Sequence, residues 1–535
     1  MPYATARTIT LQGAVGHLID VQVDVSAGVV GTTLVGRPDA AINEGRDRCR
    51  MAIQNSGLTW PATRRITILL SPADLRKSGP HLDLAMALAI VSAGGGLAPG
   101  LLEDTAFIGE LTLDGRLRPV PGVLPMTMAA AGRGLSRVFV PESQAREAAM
   151  VPGLQVIGVR SLNQAVAAVL GVPWPSAPPV EPMSGSQLLS WRGESRVDDM
   201  DLRDVQGMED ARYALEVAAA GGHHLMLSGP KGSGKTTLAE RLPGIMADLG
   251  AEEALELAAI HSLAGVLEPD ADLLVRPPFS APHSSSTRAS VLGGGSGKVR
   301  PGEISRAHCG VLFMDEFPHF SSDIIEALRQ PLENGEISIG RGEESATFPA
   351  RGMFVFACNP CPCGNYSPSV LLSTCDCLEV RRRDYQRKVA GPIADRIDIT
   401  RHVEPLVPVA DGHGARDPLA PAPESSASVR ARVTSARERQ RARYREQPWR
   451  TNGQAPGPAL SQSWPLLDPA ARRLDAEFHA GRLTRRGAVR VHRLAWTIAD
   501  LHEVTVPGVD ELDVALRLRS GGPLLLSTLT RRQAG

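Results

Sequence analysis

The chain has 535 residues, a formal net charge of −1 and 43% hydrophobic residues. This length exceeds one ordinary hydrophobic core and predicts about three domains. The neutral balance excludes binding to nucleic acid through an overall positive charge, so any such contact must be local. The N-terminal run MPYATARTITLQG lacks the pattern of a secretory signal, and no stretch reaches the ~18 apolar residues of a membrane span. We therefore expect a cytoplasmic protein without membrane contact.

Residues 1–171 alternate short apolar runs, such as RITILL and RVFV, with helical patterns such as LPMTMAAAGRG. This alternation is typical of an α+β or α/β domain. In the segment SGPHLDLAMALAI a Gly-Pro turn precedes an almost wholly apolar helical pattern, and the turn is expected to present His81 or Asp83 at the mouth of a site. The Pro- and Ser-rich run VPWPSAPPVEPMSGS then predicts a linker over residues 172–200.

The most specific motif is GPKGSGKT, which fits G-x-x-x-x-G-K-[ST] between a strand pattern, HLMLS, and a helical pattern, TLAERLPGI. Glycines suit this loop because backbone N–H groups must wrap around phosphate oxygens, where a Cβ would block the approach. The N-terminus of the following helix adds partial positive charge. Lys235 would reach the β- and γ-phosphates of ATP, and the Thr236 hydroxyl would bind magnesium. The predicted nucleotide-binding residues of this segment are Gly229, Pro230, Lys231, Gly232, Ser233, Gly234, Lys235, Thr236 and Thr237.

Two more strand patterns end in polar residues. Four apolar residues, 311–314, lead to Asp315 and Glu316, and the apolar run 353–358 ends at Asn359. Asp315 would hold magnesium through water as part of the nucleotide site, Glu316 would polarise the attacking water as general base, and Asn359 would orient that water. Taken singly, the acidic pair is typical of a surface and the asparagine of a strand-end turn. Three strand ends meeting at one phosphate favour the catalytic interpretation.

Two arginine sites supply further candidates. In GPIADRIDI, Arg396 lies between two aspartates, and a surface ion-pair cluster is the alternative interpretation. In LTRRGAVRVHRLAWTIADL, the spacing places Arg486, Arg490 and Arg493 on one helix face, for which an exposed basic stripe is the alternative. Phosphoryl transfer needs positive charge on the γ-phosphate, and arginine supplies it in a bidentate manner.

The C-terminal part follows a run of Pro, Ala and Ser over residues 408–428, which predicts a mobile loop, and residues 429–535 are helical in pattern. The first helix, predicted over residues 429–447, holds seven arginines against two glutamates. This helix could contact DNA phosphates, or it could be a solvated lid helix.

Five of the seven cysteines lie within residues 358–377. Crowding of this kind in a reducing compartment favours a metal site or a tight loop over disulfides. Cys361, Cys363, Cys375 and Cys377 could supply four thiolates to one tetrahedral zinc ion. A loop of reduced, structural cysteines is the alternative, since C-x-C is tighter than the usual C-x₂-C knuckle.

Longer segments resemble one known family. FSAPHSSSTRASVLGGGSGKVRPGEISRAHCGVLFMDEFPHF, ALRQPLENGEISIGR, NPCPCGN, VGRPDAAINEGRDRCRMAIQNSG and PADLRKSGPHLDLAMALAI are similar to the magnesium-chelatase-like AAA+ ATPases called YifB or ComM. The resemblance implies an α/β fold: an AAA+ P-loop NTPase core, residues 201–407, and an α+β Lon-protease-like (ribosomal protein S5 domain 2-like) N-terminal domain, residues 1–171. It also implies a helical C-terminal lid, residues 429–535.

The same resemblance implies a cytoplasmic homo-hexameric ATPase that uses ATP and magnesium, and ComM members are linked to DNA branch migration in natural transformation. Arg396 takes the place of an arginine finger that acts on the neighbouring subunit's nucleotide, and Arg486, in TRR where the family more often has SAR, takes the sensor 2 role. His224 and Lys231 depart from the usual Asn and Pro but lie outside the phosphate-binding glycines.

The N-terminal domain resembles Lon protease without its catalytic pair. Aligned on SGPHLDLAMA and GELTLDGRLRPVPGVLPMTMAAAGRG, His81 occupies the position of the nucleophilic serine and Leu124 that of the lysine, while Ser78 lies three residues too early. A Ser-Lys dyad needs a hydroxyl and a base, so the resemblance implies a peptidase shape without peptidase chemistry.

Three functions are therefore open. The first is a ring motor that acts on DNA, with pore-facing loops at residues 293–296 and at the hairpin 337–348, which contains Arg341. The second is an ATPase that works with a metal chelatase, and the third is an ATPase that remodels proteins.

Overall fold

The protein is described by a computed structural model. The described residues are 3–98, 100–181, 200–205, 207–268, 271–295, 299–341, 344–366, 375–390, 393–404 and 423–525. The strands are β1 Tyr3–Gln12, β2 Val15–Ser26, β3 Gly31–Val35, β4 Arg65–Ser71, β5 Thr105–Phe107, β6 Glu110–Leu111, β7 Leu117–Arg118, β8 Arg137–Pro141, β9 Gln155–Val159, β10 Leu225–Ser228, β11 Phe279–Ser280, β12 Gly293–Gly294, β13 Arg300–Pro301, β14 Val311–Met314, β15 Glu336–Arg341, β16 Glu344–Pro349, β17 Met353–Cys358 and β18 Ile399–His402. The α-helices are α1 Ala40–Asn55, α2 Asp83–Ala93, α3 Val123–Gly132, α4 Ala145–Ala149, α5 Leu162–Leu170, α6 Glu209–Gly221, α7 Lys235–Ala239, α8 Leu242–Ile245, α9 Ala251–Ala264, α10 Arg288–Leu292, α11 Glu303–Arg306, α12 Ser322–Ala327, α13 Arg329–Asn334, α14 Glu379–Ala390, α15 Ser426–Arg443, α16 Gly457–Ser463, α17 Asp468–His479, α18 Arg485–Leu501 and α19 Val509–Ser520.

The N-terminal sheet has seven strands in the order β3-β4-β2-β1-β5-β8-β9. β2 pairs antiparallel with β1 and with β4, and the other neighbours are parallel. In β4, Ile66, Ile68 and Leu70 alternate with less buried residues, as expected for a strand with one face toward the core. α2 packs against β1, β2 and α1. Every residue of α2 except Ser92 is buried, which explains why its sequence lacks a polar face.

The second sheet is parallel throughout, with the order β11-β14-β17-β10-β18. All residues of β14 and β17 are buried, because a parallel sheet of this kind is covered on both faces. Parallel strands have their carboxyl ends at one edge, so β10, β14 and β17 bring the residues that follow them to that edge.

The C-terminal helices form one hydrophobic core with this sheet. Val429 of α15 and Leu494 of α18 belong to the same buried cluster as Leu225 of β10 and Val355 of β17. α15 packs against α6 and α18, and α18 packs against α19. The prediction of an α/β protein with a P-loop core and a helical C-terminal part is confirmed.

Two local predictions are wrong. The pattern TLAERLPGI predicted one helix, but the structure has the two short helices α7 and α8, since Pro243 in the first turn of α8 has no N–H to continue a helix from α7. The arginine-rich helix covers Ser426–Arg443 rather than residues 429–447. It begins after Ser425, whose side chain accepts the N–H of Ser428.

Several predictions fall on residues outside the described ranges. These are most of the linker (182–199), most of the mobile loop (405–422), Ser296 of the first pore-loop candidate, and residues 342 and 343 at the tip of the β15–β16 hairpin.

Candidate active site

The predicted phosphate loop connects β10 to α7. A Cβ on Gly229 would collide with the carbonyl oxygen of Val403, which immediately follows β18, so only glycine fits at this position. Gly234, directly before α7, has a φ of 85°, in the left-handed region that favours glycine. These two positions explain why the sequence needs glycine here, independently of any ligand.

Lys235 is buried inside this loop. Its Nζ donates to the carbonyl oxygens of Gly229 and Pro230, both at 2.8 Å, and to Asn359 Oδ1 at 3.2 Å. Burial lowers the pKa of Lys235 from its ordinary value. The Lys235 ammonium group therefore donates to loop carbonyl oxygens, and a bound phosphate could take over these bonds. It also lies beside Asn359, the residue after β17.

The carboxyl end of β14 supplies two acidic side chains to the same edge. Thr236 Oγ1 donates to Asp315 Oδ2 at 3.0 Å, and the Glu316 N–H donates to Asp315 Oδ1 at 2.8 Å. Glu316 has a φ of 48°, and its exposed carboxylate lies 3.2 Å from His319 Nδ1. A hydroxyl and a carboxylate 3.0 Å apart present the hard oxygen atoms that Mg²⁺ prefers, so these residues fit the ion.

Arg396 and Arg486 lie together at a second place. Arg396 Nη2 is 2.7 Å and Arg486 Nη1 is 3.4 Å from the same Glu333 oxygen, Oε1. Arg396 is buried and Arg486 is exposed. A cavity of about 860 Å³ is lined by Glu333 and Arg486 and by none of the described residues 229–237. The structure thus places these two arginines on the same glutamate. The cavity beside them is not lined by the P-loop of their own chain.

The interpretation of α18 as an exposed basic stripe is wrong for two of its three arginines. Arg490 is buried, donates to the Asp395 carbonyl oxygen at 2.9 Å, and lies 2.5 Å from an Asp398 carboxylate oxygen. Burial alone would raise the pKa of Asp398, but Arg490 and the neighbouring histidines hold it well below its usual range. Arg493 donates to the Ala455 carbonyl oxygen at 2.8 Å. Arg490 thus links α18 to the segment before β18, and Arg493 links α18 to the segment before α16.

The arginines of α15 are also engaged within the fold. Arg432 donates to Glu216 at 2.7 Å, and Arg437 donates to the Ala219 carbonyl oxygen at 2.7 Å. Arg443 pairs with the buried Asp500. α15 therefore packs much of its basic face onto α6 and α18. Neither interpretation of this helix, as a DNA contact or as a solvated lid helix, included this packing.

The four predicted zinc ligands lie together. Their sulfur atoms are all within 4.8 Å of one another, and three of the separations are 3.2, 3.6 and 3.6 Å. Four sulfurs around zinc at ~2.3 Å would be ~3.8 Å apart, so the donor set and its spacing fit this metal. The ligands are Cys361, Cys363, Cys375 and Cys377. Residues 367–374, between the two pairs, are outside the described ranges.

The expected open site around the Gly-Pro turn is not present. His81 is buried, and its Nε2 donates to the Ile9 carbonyl oxygen at 2.9 Å. Asp83 is also buried, and Arg48 donates to both of its carboxylate oxygens at 2.9 and 3.2 Å. Burial raises the pKa of Asp83 to about 6 against the opposing effect of Arg48. Both polar side chains are therefore structural: Asp83 is the first residue of the buried helix α2, and His81 lies in the buried turn before it.

Leu124 lies in an interface that the sequence did not reveal. It is fully buried, and it packs with Ala258 of α9, a helix of the ATPase part. Next to it, the buried Glu147 accepts from the Leu124 N–H at 3.0 Å and from Ser262 Oγ at 2.6 Å. Leu124 thus contributes to the contact between the N-terminal domain and the ATPase core.

The comparisons with known proteins agree with this architecture. The family described as "Magnesium chelatase, subunit ChlI" matches residues 201–409, "Subunit ChlI of Mg-chelatase" matches residues 21–144, and its C-terminal family matches residues 423–519. The chain is 37% identical to "Uncharacterized protein YifB" of Escherichia coli, with 98% of this chain and 99% of that protein covered. It is 35% identical to "Competence protein ComM" of Haemophilus influenzae, with 94% of each covered. The chain belongs to the YifB/ComM family of magnesium-chelatase-like AAA+ ATPases.

Two other relatives of this YifB/ComM protein complete the comparison. An uncharacterised protein of Mycobacterium tuberculosis is 43% identical, with 98% of this chain and 99% of that protein covered. Lon protease of Rhizobium meliloti is 36% identical over 105 residues, which are 18% of this chain and 13% of the protease, and the similarity lies in the N-terminal region. The predicted family and the Lon-like character of the N-terminal region are confirmed. In the part of the chain that the structure describes, no helix combines the length and the apolar composition needed to cross a membrane.

Proposed function

We propose that this ATPase is a ring-shaped motor that acts on DNA, with a ComM-like role in branch migration during recombination or natural transformation. The observation that carries the ATP-hydrolysing part of the proposal is the meeting of two bonded pairs at one edge of the parallel sheet: Lys235 with Asn359 at 3.2 Å, and Thr236 with Asp315 at 3.0 Å. Glu316, directly after Asp315, is beside them.

In this proposal each side chain has one task in ATP hydrolysis. Lys235 neutralises the β- and γ-phosphates, and Thr236 and Asp315 hold Mg²⁺, which would supply positive charge between those phosphates. Glu316 takes a proton from the attacking water, and His319 holds the Glu316 carboxylate in position from 3.2 Å. Asn359 orients the water. The rest of the loop, residues 229–237, binds the phosphates through backbone N–H groups.

The separate cluster of Arg396 and Arg486 supports an oligomer. Both arginines pair with Glu333, which lines a cavity to which the chain's own P-loop does not contribute. We infer that they act on the nucleotide of a neighbouring subunit. In that complex the two arginines would bind the γ-phosphate in place of the Glu333 carboxylate. A closed ring, a hexamer in our proposal, gives every P-loop such a neighbour.

Replacement of Glu316 by Gln is expected to leave ATP binding intact and to slow hydrolysis by roughly 10²–10⁴-fold, because the shape is retained and the proton acceptor is lost. Nucleotide affinity and single-turnover hydrolysis measure the two effects separately. Glu326→Gln is a suitable control, since this exposed glutamate forms only a surface pair with Arg329 on neighbouring helices. Normal turnover in Glu316→Gln would assign the base to another group.

DNA is the proposed substrate because a full-length relative is named as a competence protein. With most α15 arginines engaged inside the fold, the remaining candidates for phosphate contact are the two predicted pore loops, residues 293–296 and 337–348. The test compares ATPase rates without DNA and with single strands, forks and Holliday junctions. We expect stimulation that falls steeply with salt, because each phosphate contact releases counterions. The same ATPase rate without DNA and with each of the three DNA forms would contradict a DNA motor.

A chelatase-type ATPase is the second candidate, favoured by the family descriptions that match three stretches of the chain. The Lon-like part contacts α9 through the bond between Glu147 and Ser262. A chelatase function does not explain why the chain has this part. ATPase stimulation by DNA would favour the motor, whereas stimulation by a chelatase partner or by an unfolded polypeptide would favour chelation or protein remodelling.

We also propose that the four cysteines bind one zinc ion, which would supply a tetrahedral cross-link between the segment after Asn359 and the segment before α14. Elemental analysis of protein prepared without chelator is expected to return about one zinc per chain. Cys375→Ser should lose this zinc, whereas Cys309→Ser, at a cysteine outside the cluster, should keep it. A chain that holds no zinc would leave the cysteines as reduced structural residues.

A further inference from the structure

We propose that the cysteine knuckle, defined as residues 361–366 and 375–377, couples zinc binding to nucleotide binding, so that each ligand raises the affinity for the other. This inference rests on the proposed zinc and nucleotide sites and adds an energetic link between them. The link follows from the position of the knuckle: Cys361 is two residues after Asn359, at the edge of the sheet where the P-loop lies.

The first connection is the close approach of the knuckle backbone to the P-loop at Gly364. A Cβ built on Gly364 would lie 3.5 Å from Lys231 Cβ and 3.8 Å from Asn359 Cγ, so a side chain at this position would be in van der Waals contact with both. The knuckle backbone therefore lies next to the P-loop and next to Asn359, whose side chain accepts from Lys235. Gly364 is held there by its own N–H, which donates to the Cys361 carbonyl oxygen at 3.0 Å.

The second connection runs through α14, which begins directly after the second cysteine pair. Gln386 donates to the Pro360 carbonyl oxygen at 3.4 Å, and the Arg382 guanidinium lies 4.2 Å above the Tyr366 ring. Lys388 donates to the Pro318 carbonyl oxygen at 3.2 Å, in the short turn that follows Glu316. The knuckle and its helix thus touch the three elements that form the nucleotide site: the P-loop, the end of β17 and the end of β14.

These contacts make the energetic link a physical expectation. Thiolates within 4.8 Å of one another repel unless a cation lies between them, so the ordered knuckle and the bound metal stabilise each other. An ordered knuckle fixes the backbone beside Lys231 and Asn359, and this favours the loop arrangement that receives phosphate. A nucleotide that orders the loop favours the same knuckle geometry in return, since coupling between two sites is reciprocal.

The experiment measures both affinities in the full-length protein. Zinc affinity is determined by competition with a chromophoric chelator, with and without a saturating non-hydrolysable ATP analogue and Mg²⁺. Affinity for a fluorescent form of the same analogue, with Mg²⁺, is determined with zinc-loaded and zinc-stripped protein. We expect zinc to bind about 5- to 150-fold more tightly in the presence of the analogue, and the nucleotide affinity to rise by the same factor when zinc is bound.

Two variants separate the possible outcomes. Lys235→Ala should bind zinc without any response to the analogue, and Cys309→Ser should respond like the wild type. Zinc that binds wild-type protein with the same affinity in both conditions overturns the coupling and leaves the zinc site and the ATPase proposal intact. A wild-type chain that takes up no zinc overturns the coupling together with the zinc site. A chain that binds no nucleotide overturns it together with the proposed function.

Discussion

Lys235→Ala is expected to reduce ATP hydrolysis by at least about 10²–10³-fold, the range for loss of one preorganised donor to developing phosphate charge. The reason is that the Lys235 ammonium is the basic group buried within the P-loop, where its Nζ lies 2.8 Å from two loop carbonyl oxygens and 3.2 Å from Asn359. ATP would exchange these contacts for charge-assisted bonds to phosphate oxygens. Steady-state hydrolysis and the affinity for a fluorescent nucleotide are the measurements.

The same loop offers a matched control. Lys231 has the same charge and lies four residues earlier, but its side chain is exposed. Lys231→Ala removes that side chain beyond Cβ and therefore keeps the Cβ that faces Gly364. It should retain most of the activity. If the two alanine variants were equally active, or equally inactive, the assignment of the phosphate-binding lysine would be wrong.

Arg396→Ala is expected to bind ATP almost normally and to hydrolyse it slowly. Arginine fingers contribute ~10³–10⁵ in rate in other phosphoryl-transfer systems, whereas a surface ion pair is worth only ~0–1 kcal/mol and would leave turnover nearly unchanged. Arg396 is buried against Glu333, so it is not a surface pair of the kind that the aspartates around it suggested. Arg482→Ala, at an exposed lid arginine paired with Glu477, is the control that should retain activity.

Mixed rings test whether Arg396 acts across a subunit boundary. In a mixture of Arg396→Ala and Lys235→Ala chains, some interfaces combine an intact P-loop from one chain with an intact Arg396 from the other. Recovered ATPase activity supports action on the neighbouring nucleotide. Activity no higher than that of either variant alone, in rings shown to be mixed, would place Arg396 in its own subunit's site or outside catalysis.

The parts of the site that could be predicted from the sequence are local. The P-loop, Asp315 and Asn359 each follow a short, mainly apolar strand, and in a parallel sheet the ends of such strands meet at one edge. The pattern of a buried parallel strand and the residue after it are sufficient for this inference. The bond from Thr236 to Asp315 follows from that arrangement, although 79 positions separate the two residues.

Apart from the two helix bounds, the predictions that were wrong concern charged side chains whose partners are remote in the sequence. Arg432 meets Glu216, which is 216 positions earlier, and Arg443 meets Asp500, which is 57 positions later. A count of arginines on one helix cannot reveal whether they face solvent or carboxylates of another helix. The shared contact of Arg396 and Arg486 with Glu333 was missed for the same reason, because no spacing links the three residues.

The N-terminal region illustrates a second limit. Its motifs resemble Lon protease, yet no motif indicates that Leu124 is buried against Ala258 or that Glu147 bonds to Ser262. Docking of two folded units depends on surface shapes that form only after each has folded. The motifs of one unit therefore predict its own fold, but not the contact that it makes with another unit.

The central claim is that ATP hydrolysis by this protein moves DNA strands. The most direct measurement follows a Holliday junction with one fluorescently labelled strand in the presence of the protein, Mg²⁺ and ATP. The Glu316→Gln variant is the control that lacks hydrolysis. The account predicts conversion of the junction to separated duplexes by the wild type, which requires ATP hydrolysis and is therefore absent with Glu316→Gln. A wild-type protein that hydrolyses ATP and binds the junction, yet leaves it intact for as long as the variant does, would contradict the account.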